Sequence, residues 1–158
     1  MKIENLVKYA IEDFQAYRFD SALLFACIAV DGTARKLFGT SDRNSDRYKK
    51  FINKYIFIIQ CFTGGVDLVN TPWNVALAIN EQTAKVTCFA DIVYNVIRCN
   101  QTHGDEIPNN IDFSIDNSDG KVIWRFDLEQ GNIIMPQQIL WGLLSSVVFC
   151  KANTDLRT

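Results

Sequence analysis

The chain has 158 residues, 48% of them apolar, with 16 basic against 18 acidic residues and a formal net charge of −2. That length is one domain able to bury a real core, and the composition is globular rather than disordered. The slight acidity argues against a protein held on nucleic acid by bulk charge alone, while leaving room for an enzyme that grips a few phosphates locally.

Ile3, Leu6, Val7, Ala10, Ile11 and Phe14 recur at intervals of three and four, which predicts a first helix over Lys2–Tyr17. Asp20 or Ser21 can cap a second helix, because a side-chain oxygen there accepts from an unpaired first-turn N–H. This helix should run to Phe38 and stop at Gly39. Its first half, Ala22–Val30, is apolar all round and is expected at the centre of the fold. A third helix is predicted from Ser45 or Asp46 to Gly64-Gly65, with Tyr48, Phe51, Ile52, Tyr55, Ile56, Ile59 and Phe62 as its apolar stripe. Arg43, Arg47, Lys49, Lys50 and Lys54 form the most basic window of the chain. With Tyr48 and Tyr55 interleaved it could track an RNA backbone, although a solvated helix face is the commoner meaning of such a run.

Val66–Gln82, interrupted by Pro72 and carrying Trp73, Val75, Leu77 and Ile79, suggests packed irregular structure or a short helix, and no element is assigned to it. Thr83–Asn100 predicts a fourth helix with Val86, Phe89, Ala90, Val93, Val96 and Ile97 inward. Beyond Pro108 the period changes to alternation. Ile111, Phe113 and Ile115, then Val122, Trp124, Phe126 and Leu128, flank the turn Asn117–Gly120 and predict a β-hairpin. Trp124 with Ile111, Phe113 and Phe126 could offer bases a stacking surface, but packing on the helices is the expected role. Pro136 suits the first turn of a last helix carrying Ile139, Leu140, Leu143, Leu144, Val147 and Val148. The chain is expected to fray after Ala152, leaving a short tail over 153–158. The sum is a mainly α fold over 1–158: an antiparallel bundle of about five helices with one β-hairpin inserted before the last helix.

The 5 cysteines (Cys27, Cys61, Cys88, Cys99 and Cys150) show no C-x-x-C spacing, and His103 is the lone histidine. A zinc site is therefore not expected, and a reducing cytoplasm is the natural setting. Met1-Lys2-Ile3-Glu4-Asn5 lacks the features of a signal peptide. The longest apolar run, Ala22–Val30, falls well short of the ~20 residues of a membrane span. A soluble cytoplasmic protein with no membrane partner is the expectation.

The stretch with most chemistry is VYNVIRCNQTHGDE, Val93–Glu106. An apolar helix ends there in Arg98, and His103 follows before Gly104. His103 is suited to general acid or base work near neutrality, and Arg98 to holding a phosphate. In a straight α-helix residues five apart lie about 140° from each other. Arg98 and His103 would then converge only if the helix loosens or ends between them, or if two protomers bring copies together. The bland reading is that both are basic residues favoured at a carbonyl-rich helix end. Asp31 interrupts the buried second helix and needs a partner. Either it faces the Arg98 region or the helix turns toward solvent at that point.

Arg98 and His103, at the end of a core helix and before a loop, resemble the Arg-x4–6-His signature of the HEPN superfamily. The likeness covers about residues 1–152, with the long apolar second helix, the third helix and the motif in a fitting order. The resemblance implies a helical bundle and metal-independent RNA cleavage in a homodimer, with no cofactor and no metal. The catalytic pair is then Arg98 and His103, with Asn100 and Asp31 as substrate-binding residues. It also implies a toxin or defence role, with RNA as substrate and an antitoxin or a nucleotidyltransferase as candidate partners. Active members commonly carry Asn, Asp or His after the arginine. Here Cys99 stands in that place and Asn100 one further on, which keeps open a non-catalytic HEPN-type module that binds a nucleotide or a protein partner.

Overall fold

The computed structural model describes residues 1–71, 73, 75–79, 82–86, 88–98, 111–114, 122–127 and 132–157. Helix α1 (Ile3–Gln15) and helix α2 (Phe19–Phe38) are joined by a tight corner. No side chain caps α2, so the predicted Asp20 or Ser21 cap is corrected. The Ser21 hydroxyl instead donates to Asp13 Oδ2, while Arg18 Nε donates to Asp13 Oδ1 at 3.0 Å. The Ser21 hydroxyl first, then Arg18, hold the Asp13 carboxyl below its ordinary value of 3.8. A carboxyl with a lowered folded pKa adds stability that is complete above the ordinary value and is lost as pH falls through the folded one. Ser21→Ala should therefore move the Asp13 titration upward and start acid unfolding at a higher pH. An NMR titration of the Asp13 carboxyl checks this, and an unmoved midpoint would contradict it.

Helix α2 is the central strut. Ala22, Leu23, Ala26, Cys27, Ala29, Val30, Thr33 and Ala34 are all buried along it. The alanines let α1, α3 and the last helix approach closely, and Gly39 ends the helix at φ 80° with its N–H on the Arg35 carbonyl. The predicted third helix is two: α3 (Asn44–Lys54) and α4 (Ile56–Phe62), broken at Tyr55. Burial first, then a hydrogen bond with Cys150, push the Tyr55 phenol up to about 12. The Tyr55 side chain thus meets the C-terminal end of the chain.

The Val66–Gln82 stretch and the start of the predicted fourth helix contain an antiparallel pair, β1 (Val75–Ile79) and β2 (Gln82–Val86), in the register Val75↔Val86 to Ile79↔Gln82. Thr83–Val86 is strand and not helix. The helical part begins at α5 (Phe89–Asp91) and runs on as a π-helix, Ile92–Arg98. The predicted hairpin is also corrected. Strands β3 (Ile111–Ser114) and β4 (Arg125–Asp127) do not pair with each other; both flank β5 (Asn132–Pro136), β3 in parallel and β4 antiparallel. Ile133 and Met135 point into the core from β5. Pro136 closes that strand, where a missing N–H is tolerated at the end of a ladder, and helix α6 (Ile139–Val148) starts only afterwards.

The C-terminal segment does not fray at Ala152. Lys151–Arg157 forms 3-10 turns on either side of a kink at Asn153 and docks on α2 and α6. Fully buried Asn153 donates to Thr33 Oγ1 at 2.9 Å and to the Val147 carbonyl at 3.0 Å. Trp124 packs inward as expected: its Nε1 donates to the Thr63 carbonyl at 2.8 Å, and its ring lies parallel to Phe126 and beside Trp73. No helix among the described residues is long and apolar enough to cross a membrane. The fold is mainly α, with the small sheet β3-β5-β4 and the β1-β2 pair beside the helices.

Candidate functional site

Arg98 is the last residue of the π-helix. Such i→i+5 segments carry unfavourable geometry and recur at functional sites. Ile92, Val93 and Ile97 anchor this one in the core, leaving Tyr94 and Arg98 half-buried on its polar side. Arg98 Nη2 lies 3.2 Å from Asp31 Oδ2, with side chains 18% and 26% exposed. Asp31 therefore faces the Arg98 region, and α2 does not simply turn it to solvent. The guanidinium also sits over the Tyr94 ring, 5.4 Å from its centroid. A carboxylate on one side and an aromatic face on the other fix both its position and its plane.

The other Asp31 oxygen, Oδ1, is buried and has no hydrogen-bond partner among the described residues. Oδ2 also accepts a long hydrogen bond of 3.4 Å from Asn44 Nδ2, at the start of α3. Arg47 completes the chain of contacts: its Nη2 donates to Asn44 Oδ1 at 2.7 Å and its Nη1 to the Asp42 carbonyl at 3.1 Å. Behind them stands Tyr48, fully buried. Burial, foremost, then the Cys27 thiol and the Asp31 carboxylate, push its phenol well above 10, while Arg98 pulls the other way. Tyr48 packs edge-on against Tyr94 at 5.4 Å between centroids. Helices α2 and α3 and the π-helix thus meet in a polar and aromatic cluster within an apolar core.

The basic window is only partly open. Arg47 is buried, Lys49 is bound to Asp91 at 2.7 Å, and Lys50 lies 3.8 Å from Asp42 and over the Phe38 ring. Of the interleaved aromatics, Tyr48 is buried and Tyr55 half-buried. Arg43, Lys50 and Lys54 stay exposed, so part of the window is the solvated face that such a run commonly means, and any surface following an RNA backbone is limited to these three. Arg98 and Asp31 are brought together; His103 and Asn100 lie outside the described residues, as does Cys99. Sequence reasoning missed Tyr94 and Asn44, and placed Arg47 on the basic face rather than in this cluster. Tyr94 had a signal, since a residue four before an arginine on a helix is its neighbour. Arg47 had none, because its burial depends on how α3 seats on α2.

A pocket of about 470 Å³ opens beside Asp31, between α1, α2 and the start of α3. A second, smaller one of about 240 Å³, lined by Ile56, Leu68, Cys88 and Phe89 among others, is nearly all apolar.

Among proteins of known sequence, the chain is 27% identical over 154 residues to the uncharacterized protein Rv1289 of Mycobacterium tuberculosis H37Rv, an alignment that covers 97% of this chain and 72% of that one. The uncharacterized proteins MT1327 of M. tuberculosis CDC 1551 and Mb1320 of Mycobacterium bovis match to the same extent. No solved structure matches the chain. The Rv1289 family model matches residues 2–158, from the first turn of α1 to the end of the chain, and the protein belongs to that family.

Proposed function

We propose that the protein is a HEPN-like, metal-independent endoribonuclease that works as a homodimer, with Arg98 and His103 as its catalytic pair. One observation carries this reading. Arg98 leaves the end of a π-helix with its guanidinium held by Asp31 at 3.2 Å and backed by the Tyr94 ring. An arginine that only favoured a helix end would need neither support. A buried carboxylate oxygen with no partner among the described residues is also costly, and such costs are tolerated most often at functional sites.

In the reaction, Arg98 holds the scissile phosphate and stabilises the charge that builds up on it. The ribose 2′-hydroxyl attacks the adjacent phosphorus, the bond to the 5′-oxygen breaks, and a 2′,3′-cyclic phosphate remains. His103 accepts or donates the proton that moves. Asp31 is a positioning residue that keeps Arg98 aimed, and Asn100 contacts the substrate. Cys61, Cys88 and Cys150 are free thiols, which fits the cytoplasmic setting of this reading. A toxin or defence role, with an antitoxin or nucleotidyltransferase partner, belongs to the same reading.

Purified protein should cleave RNA in the presence of EDTA, and His103→Ala should lower the rate by roughly 100-fold or more. Toxicity on expression, relieved by the same substitution, would accompany it. RNA left intact by the wild-type dimer would end the proposal. A second reading, a non-catalytic module that binds a nucleotide or a protein partner, draws on the same ion pair, because Asp31 offsets the Arg98 charge that a phosphate must meet. In that case Arg98→Ala changes binding and there is no hydrolysis to lose.

A further inference from the structure

We infer that the pocket beside Asp31 is a nucleotide subsite: one wall takes a base and the other its phosphate. The inference rests on the ribonuclease reading for its substrate class and goes beyond it in naming a site. The volume, about 470 Å³, falls within the range of small-ligand pockets. Its two walls differ in chemistry. Ile3 of α1 and Ile28 of α2 supply an apolar side, on which a base can lie flat. Arg35, exposed on α2, and Arg47, 7% exposed at the start of α3, supply the cationic side. Two arginines face one carboxylate, and that carboxylate is already bound to Arg98. An otherwise acidic chain thus concentrates positive charge around an apolar cleft, which selects an anion with an apolar body. The buried Arg47 guanidinium, fixed by Asn44 and the Asp42 carbonyl, keeps Nε without a partner among the described residues.

Gly32 is the second indication. It stands inside α2, where glycine is the poorest helix former after proline, and its φ is not in the left-handed range. A Cβ there would meet only the Ile3 side chain, at 3.4 and 3.8 Å, so close backbone packing does not demand glycine. What the missing side chain leaves is width in the pocket. Asp31, which lines this pocket and holds Arg98, joins the two places. A nucleotide seated here meets Asp31, the carboxylate that holds Arg98, so the pocket serves a residue flanking the cleaved bond.

The test uses the full chain carrying His103→Ala. Nucleoside 5′-monophosphates, the matching nucleosides and inorganic phosphate are titrated by calorimetry. At least one monophosphate should bind roughly tenfold tighter than its nucleoside or phosphate alone, as expected for an added charge-assisted contact. Gly32→Leu and Arg35→Ala should each weaken that binding roughly tenfold or more. Gly32→Ala, whose methyl has room, should retain it and serves as the folding control. In the active protein Gly32→Leu and Arg35→Ala should raise KM and leave kcat near wild type. Binding of monophosphates that Gly32→Leu blocks, in a protein that cleaves no RNA, supports the subsite and removes the ribonuclease reading. No monophosphate binding, or RNA cleavage whose KM neither substitution moves, overturns the subsite and spares that reading.

Discussion

Arg98→Ala should reduce RNA cleavage by roughly 100- to 1,000-fold, the usual cost of removing a group that stabilises transition-state charge. The drop should appear in kcat as well as in kcat/KM, because the contact strengthens as charge builds on the phosphate. Arg98→Lys should recover only part of the loss. A lysine keeps the charge but not the planar fork that Asp31 and Tyr94 align. Asp31→Asn separates positioning from catalysis: it leaves Arg98 in place and removes the group that aims it, so its loss of activity should be smaller. Its stability cost should be about 1 kcal/mol, since the pair is partly open to solvent. Steady-state kinetics with urea unfolding of the same variants reads both quantities. A structural salt bridge and nothing more would lower stability in all three variants with no activity to lose.

Gly142→Ala should destabilise the protein, against the expectation from helix propensity. Gly142 lies in α6 where it crosses α4, and a Cβ built on it would sit 2.9 Å from Ile59 Cα and 3.2 Å from the Ile59 carbonyl oxygen. Both are backbone atoms and cannot rotate away, so the two helices must part. Overpacking of this kind costs about 1–3 kcal/mol, while alanine gains about 1 kcal/mol over glycine inside a helix. A net loss of up to about 2 kcal/mol is expected for Gly142→Ala and a larger one for Gly142→Val. The urea midpoint decides the sign: a rise for Gly142→Ala would mean that α4 and α6 do not cross at this glycine.

The parts of the fold visible in the sequence are those with long, repeated signals. α2 combines a continuous apolar run with a glycine stop, and α1 has an unbroken stripe, so both were readable to within a few residues. The strands were harder. Gln82–Val86 spans 5 residues, too few for period alone to tell strand from helix, and Val86 happens to align with the helical stripe that follows it. Asn132–Pro136 was hidden because Pro136 fits a helix start as well as a strand end. That strand lies between β3 and β4, and the β3 pairing is parallel and non-local, so nothing near Ile111 or Trp124 in sequence indicates it. The break at Tyr55 left no glycine or proline in the sequence to mark it, and the Tyr55 phenol meets Cys150, distant in the chain. For the site, the need of Asp31 for a partner was legible from a charge within an apolar helix. The burial of Arg47 and the room left by Gly32 arise only when α1, α2 and α3 come together.

The most direct measurement of the central claim is the chemistry of the ends left on RNA. Purified wild-type protein is incubated with a defined oligoribonucleotide in EDTA, and the products are identified by mass spectrometry. Attack by the 2′-hydroxyl with Arg98 and His103 predicts 2′,3′-cyclic phosphate and 5′-hydroxyl ends, absent with His103→Ala. Intact RNA, or products bearing 3′-hydroxyl and 5′-phosphate ends, would contradict it.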